Sequence, residues 1–370
     1  IVSKGSITST GKITLLTKQL SNTKLNKYLI VIYADVSKIA NDAMDASFNG
    51  TVSADANQGE FSEAKATLTS LNLSPSSGTP NFTKTSIDDG TNGIYSAKDD
   101  LGTSYYFRGN VTNNYVKFAN KYWRIIRING DGTIRMIYAG TSAHANGYND
   151  SSANDMSIGT SAFNSSYDDN TYVGYMYGTK GATTYANTHS NTTNSTIKTK
   201  LDSWYDTNIV NTGNEKYIAD AIYCNDRSVS SGTGIGTIAT TYAAQTRINN
   251  GKPTLKCTNN NDKFTKSTTI GNGKLTKMIG LITTDEVMYA GGKSGTANQE
   301  YYLYSGKYYW TMAPYSFASG DAFVDDVNSY GDLLDSNVDD AYGAVRPVVS
   351  LKSDAISGGS GTVASPFFVG

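Results

Sequence analysis

The sequence predicts a mainly β chain with some α, on three observations. Its 370 residues hold 36 glycines against 6 prolines, spread among Ser, Thr and Asn, a composition of short strands joined by many turns. Apolar and β-branched residues fall in short alternating runs rather than at helical spacing. The hydrophobic fraction is only 38%, yet 27 Tyr and 11 Phe supply large apolar area, so an ordered core is expected rather than disorder. The length suits two domains.

Residues 1 to 70 read as an N-terminal β module. Ile7 to Leu16, Tyr28 to Val36 and Phe48 to Ala56 have strand character. So few strands leave an edge and an apolar face open, which another domain, another chain or preceding residues would complete. The chain opens without Met on a strand-like run, so a leader segment upstream is expected. Residues 71 to 89, with Pro75, Gly78 and Pro80, read as a linker.

The second domain is expected over 90 to 370. Tyr105 to Val111, Tyr115 to Phe118 and Trp123 to Tyr138 form a β-meander closed by the Asn129-Gly-Asp-Gly turn. Alternation puts Ile126, Ile128, Ile134, Met136 and Tyr138 on one side, with Arg124, Arg127 and Arg135 on the other or at the rim. Residues 140 to 195 lack a sustained period and read as a loop-rich insertion. Thr196 to Asp206 is the clearest helix, with Ile197, Leu201 and Trp204 on one face. A shorter helix is expected at Asp285 to Ala290, capped by Thr283 or Thr284 and stopped by Gly291.

Net charge of −1 and a 17% charged fraction exclude a general nucleic-acid or membrane-surface binder, and no apolar run is long enough to span a bilayer. Cys224 and Cys257 would close a loop worth roughly 3.5 kcal/mol as a disulfide; two buried thiols are the other reading. The Asn-, Thr-, Ser-, Gly- and Tyr-rich composition favours an extracellular or cell-surface setting. Catalysis finds little support. His144 and His189 sit in polar loops without a nucleophile motif, and Asp285-Glu286 suits a helix start better than an acid/base pair. The glycine clusters at 232 to 236 and 358 to 361 read as turns, and Trp310 and Arg346 as structural anchors.

Two resemblances add to this reading. Tyr28-Leu-Ile-Val-Ile-Tyr-Ala-Asp, followed by Asn41-Asp-Ala-Met and Phe48-Asn-Gly-Thr-Val, resembles the closing strands of TasA-like, Ig-type β-sandwich domains of Gram-positive extracellular fibre proteins. The ordered set Trp123-Arg-Ile-Ile-Arg-Ile, Cys224-Asn-Asp-Arg, Ile279-Gly-Leu-Ile-Thr-Thr-Asp-Glu, Trp310-Thr-Met-Ala-Pro and Val345-Arg-Pro-Val-Val is similar to bacterial and phage surface domains with a C-type-lectin-like, formylglycine-generating-enzyme-like fold. Cys224 and Cys257 do not match that enzyme's reactive pair, so its activity is not carried over. The C-terminal part also resembles the variable region of retroelement-diversified proteins, where randomised Asn-type codons cannot give Lys, Glu, Gln, Met or Trp. None of these five occurs from Ala313 to Leu351.

The resemblance implies a ligand-choosing surface at Tyr315, Phe317, Ser319, Asp321, Phe323, Asp325, Asp326, Tyr330, Asp332, Asp335, Asn337, Asp339, Asp340 and Tyr342, all expected to be exposed. From Tyr308 to Val345 there is no Lys or Arg. The aspartates at 325, 326, 335, 339 and 340 could hold calcium, but without an Asp-x-Asp-x-Asp-Gly spacing they read as solvated charge, and no cofactor is expected. The function expected is ligand binding and display toward a protein or glycan partner. The alternative is a filament or pilus subunit assembled through N-terminal strands, with Val2 to Leu16 as strand donor or acceptor between copies.

Overall fold

The computed structural model describes residues 62–148 and 155–370; the three strand-like runs of the N-terminal module lie outside them. In chain order the described strands begin with β1 (Gly93–Lys98), β2 (Thr103–Arg108), β3 (Tyr115–Phe118), β4 (Lys121–Ile128), β5 (Ile134–Gly140), β6 (Met176–Tyr177), β7 (Thr193–Asn194) and β8 (Tyr223–Cys224). They continue with β9 (Val229–Ser231), β10 (Thr240–Tyr242), β11 (Lys263–Phe264), β12 (Tyr309–Ala318), β13 (Asp321–Val327), β14 (Leu333–Asn337), β15 (Val348–Leu351), β16 (Ile356–Gly358) and β17 (Phe367–Val369). The α-helices are α1 (Glu63–Ser70), α2 (Tyr185–Thr188), α3 (Thr196–Tyr205), α4 (Ala243–Asn250) and α5 (Thr284–Ala290). The described part is thus mainly β with short helices.

An eight-stranded sheet is organised around β4, which pairs with β5 along one edge and with β3 and then β2 along the other. The expected meander holds for β3, β4 and β5, which pair consecutively, but β2 pairs with β4 and not with β3, and β15 extends the sheet beyond β5. A five-stranded sheet runs β14-β13-β12-β10-β9. One continuous core joins them, containing Trp123, Ile125 and Met136 of the first sheet and Trp310, Val324 and Leu333 of the second. Helix α3 starts at a Ser195 cap and lays Trp204 edge-on to Trp123 and Tyr138, covering one face of β4 and β5.

Alternation assigned the β4–β5 faces apart from one irregularity. Ile125 lies opposite Met136 and Arg127 opposite Arg135, so Ile126 is the extra residue of a β-bulge, and it is buried in the same core as the apolar face. Ile128, Ile134, Met136 and Tyr138 share that face with Ile125 and Trp123. The arginines occupy the other side, but Arg124, Arg127 and Arg135 are buried there rather than at a rim, because α5 and its neighbours cover that face too.

Two further expectations are corrected. Residues 63–70, assigned from sequence to the β module, form α1, which buries Ala64 and Leu68 while Thr67 Oγ1 donates to Gly132 O at 2.9 Å. Residues 71–89, read as a linker, pack on the domain: Leu71 and Leu73 are buried, Ser76 N donates to Ile94 O, and Asp89 pairs with Arg108 at 3.0 Å. Proline and glycine shape this stretch as an ordered surface loop. The 140 to 195 insertion is irregular as expected, yet Phe163, Val173 and Tyr175 are fully buried within it.

Candidate binding surface on the C-terminal hairpins

The segment of interest is clamped where it enters and leaves. Trp310 N donates to Ala344 O and Ala344 N to Tyr308 O, so its two ends lie side by side. Trp310 is buried, its Nε1 donating to Ser161 O at 2.7 Å. Arg346, also buried, donates to Leu303 O and Tyr138 O and covers the Tyr309 ring at 4.7 Å. Both residues have the structural roles read from sequence. A side chain at Gly343 would collide with the Trp310 indole, so the exit strand needs glycine there.

Between these clamps the chain makes two hairpins. Ala318 faces Asp321 across a two-residue turn in which Ser319 and Gly320 both have positive φ, the geometry whose twist matches the flanking strands. The second turn, from Asn328 to Asp332, carries Tyr330 at its tip and is held by Asn298 N donating to Tyr330 O. Gly331 has φ +82°, and a Cβ there would lie 2.0 Å from Asn298 O. Strand β14 then forms the sheet edge.

The fourteen residues expected to be exposed divide into three groups. Ser319, Tyr330, Asn337, Asp339 and Tyr342 are exposed, with Tyr342 at 83% and Tyr330 at 62%. Tyr315, Asp321, Phe323, Asp335 and Asp340 are half-buried. Phe317, Asp325, Asp326 and Asp332 are buried, which corrects the expectation for those four. The reason is that β12 and β13 are inner strands: Phe317 pairs with Thr240 of β10, and Asp325 and Asp326 lie between Trp310 and β14 in the ladder. Leu334, 45% exposed, belongs to the surface and was missed; the in-out alternation of Leu333 and Leu334 was its signal.

The aspartates separate onto two sides. Asp325 and Asp335 are cross-strand partners, and Thr284 donates to Asp325 at 3.0 Å. Asp326 points the other way, toward Leu334 and Ser336, whose hydroxyl donates to it at 2.8 Å. Burial raises the Asp326 pKa to about 7, with Asp335, Asp332 and Asp340 adding to the rise. Burial also pushes Asp325 and Asp335 up. None of Asp321, Asp325, Asp326, Asp332, Asp335, Asp339 and Asp340 takes part in an ion pair among the described residues. The nearby Lys293 spends its ammonium on Ser294 O and Thr296 Oγ1. The seven carboxylates do not converge: among the described residues no three His, Cys, Asp or Glu form a metal-ligand group.

Away from this surface lies a cleft lined by β4, β5, α5 and the Cys224–Cys257 disulfide. The disulfide reading of the two cysteines therefore holds, with Cα atoms 5.7 Å apart. Within the cleft Arg127 pairs with Asp99 and Glu286, Arg135 with Glu286, and Arg247 with Asp226 and Asp285. Burial alone would raise Glu286, but Arg135 and Arg127 outweigh it and hold the carboxylate below its usual range. Glu286 also completes the Thr283 capping box at the start of α5, as the sequence suggested for this pair of acids. This is a charge-paired network, missed from sequence because its members come from five separated segments.

Neither histidine sits as expected of an exposed loop residue. His189 is fully buried with Nε2 against Gly234 O at 2.9 Å, and burial, then Arg227, lowers its pKa to about 3, so it stays neutral. His144 is half-buried, pairing with Asp155 at 2.7 Å and stacking on Tyr148. No helix among the described residues is long and apolar enough to cross a membrane. No protein-family model, curated protein or solved structure matches this chain.

Proposed function

We propose that this chain is an extracellular ligand-binding and display protein whose recognition surface is the outer side of the two C-terminal hairpins. The observation that carries the reading is the conjunction of four exposed or half-buried aspartates, Asp321, Asp335, Asp339 and Asp340, without an ion-pair partner among the described residues, and three exposed apolar side chains, Tyr330, Leu334 and Tyr342, on a segment clamped at both ends. Rigid tyrosines offer contact area at low entropic cost, while the scaffold beneath keeps them in register. The reading takes the chain as a binder of a protein or glycan rather than an enzyme. Secretion is supported by the disulfide, a bond that persists in oxidising compartments. The order of motifs supports placing the larger domain among C-type-lectin-like surface domains with a diversified C-terminal segment, and the N-terminal wording supports a TasA-like module.

The test is a protein and glycan array probed with the full chain and with two surface variants, Tyr330→Ala/Tyr342→Ala and Asp335→Asn/Asp339→Asn/Asp340→Asn. Partners that bind the wild type should lose at least about tenfold in affinity with one or both variants, the scale of a small hot spot. Unchanged binding by both would move recognition to another face.

A further inference from the structure

We infer that the partner of this surface is a second copy of the chain, which docks its lysine-rich N-terminal segment on the open edge of β14. The inference rests on the recognition-surface reading above and names its ligand. Three observations carry it.

The first is an unpaired sheet edge. Leu333 N donates to Lys293 O, away from β13, so by alternation the backbone groups of Asp335 and Asn337 also face outward. Beyond Leu333, this end of the strand is met by Asp340 N donating to Asn337 O and Asn164 N donating to Val338 O, which leaves the stretch around Asp335 without a backbone partner on its outer side among the described residues. Such an edge accepts an extended segment through main-chain hydrogen bonds.

The second is what flanks that edge. Asp335, Asp339 and Asp340 lie on or just beyond β14 with no cation paired to them among the described residues, although buried acids elsewhere, such as Asp99, Asp262, Asp285 and Glu286, each face an arginine. Because the carboxylates do not converge on a point, they suit several positive charges spread along a chain better than one metal ion. Leu334 and Tyr342 beside them offer apolar area to the same occupant.

The third is in the sequence. Residues 1 to 34 contain Lys4, Lys12, Lys18, Lys24 and Lys27 and no Asp or Glu, while 308 to 345 contain seven Asp and no Lys or Arg. The same basic stretch includes the β-branched, alternating run Ile7 to Leu16, with Lys12 within it and Lys4 and Lys18 on either side. A basic segment on one copy and an acidic edge on the next form a heterologous contact, which builds a ring where its rotation closes and an open chain where it does not.

The experiment uses three full-length chains: wild type, a variant with Lys4, Lys12, Lys18, Lys24 and Lys27 changed to Gln, and the Asp335→Asn/Asp339→Asn/Asp340→Asn variant. By sedimentation velocity in low salt, the wild type should form concentration-dependent oligomers that dissociate at high salt, while each variant alone should be a monomer. Mixing the two variants should give a 1:1 dimer and nothing larger, since only one good interface can form. Two chains carrying reversed charges, lysines to Glu in one and the three aspartates to Lys in the other, should each be monomeric alone and regain salt-sensitive oligomers when mixed, because both contacts are then complementary, which guards against misfolding as the cause of loss. A wild type that stays monomeric, or oligomers that persist in either variant, overturns the inference. A peptide of residues 1–34 and an oligolysine peptide, each titrated on wild type and on the aspartate variant, separate the two failures. Oligolysine binding that depends on the three aspartates, without binding of the 1–34 peptide, sinks this inference and leaves the recognition surface standing; binding of neither counts against both.

Discussion

Asp326 is a buried acid whose folded state holds its proton more tightly than the unfolded chain does, with a pKa near 7 against 3.8. Below about pH 4 both states are protonated and the group is neutral in its effect. As pH rises toward 7 the unfolded chain releases a proton that the folded chain keeps, so this residue lowers stability, by up to roughly 4 kcal/mol once both forms have ionised. Asp326→Asn keeps an acceptor for the Ser336 hydroxyl and should therefore be more stable than wild type in urea melts at pH 8 and equal to it at pH 4. Glu286 has the opposite sign. Its lowered pKa contributes stability above the unfolded value that is lost as pH falls through the folded one. Removing that carboxylate with Glu286→Gln leaves Arg127 and Arg135 buried without a full counter-charge, and a loss of about 3–5 kcal/mol is expected by the same melts at pH 7. A change under about 1 kcal/mol would mean the network is hydrated enough to dispense with the pair. At this scale the sequence was informative where a residue's neighbours in the chain decide its place, as for the Thr283 cap or Trp204 on α3. It was uninformative for Asp325, Asp326 and His189, because a polar residue in a strand or loop shows its burial only once the covering elements are known.

At the scale of elements, the Cys224–Cys257 link ties β8 to the chain after α4, across 33 residues and beside the charged cleft. Changing both cysteines to Ser should lower unfolding free energy by about 2–4 kcal/mol, the range for a loop of this size. Equal stability of the reduced and oxidised forms would show that the cleft network holds the loop by itself. The hairpin turns make a sharper demand. Gly331→Ala would drive a Cβ into Asn298 O at a positive φ, so a loss on the order of 1–3 kcal/mol is expected, measurable as a lower midpoint. Helices and the meander were legible in the sequence because capping residues, glycine stops and alternation are local signals. The Ile126 bulge was not, since one inserted residue looks the same in sequence as a continued strand. Nor was the docking of residues 71–89, whose prolines and glycines describe the turns of an ordered loop as well as those of a spacer.

For the whole molecule, the uneven placement of charge outweighs the net value of −1, which conceals a basic beginning and an acidic region near the end. If the two meet between copies, self-association should weaken as salt rises, and also as pH falls into the range where the contact carboxylates take up protons, among which burial shifts Asp335 upward. Light scattering across that grid checks both trends, and a pH-independent mass would remove these groups from the contact. Composition predicted the mainly β class because it sums over the chain, whereas the two-sheet arrangement depends on pairings such as β10 with β12 that lie some seventy residues apart. The adjacency of Tyr308 and Ala344 has a practical corollary. A stretch that departs and returns through neighbouring doorposts can be swapped as a cassette, so a foreign hairpin pair of matched span could be grafted there while the rest of the chain keeps its path.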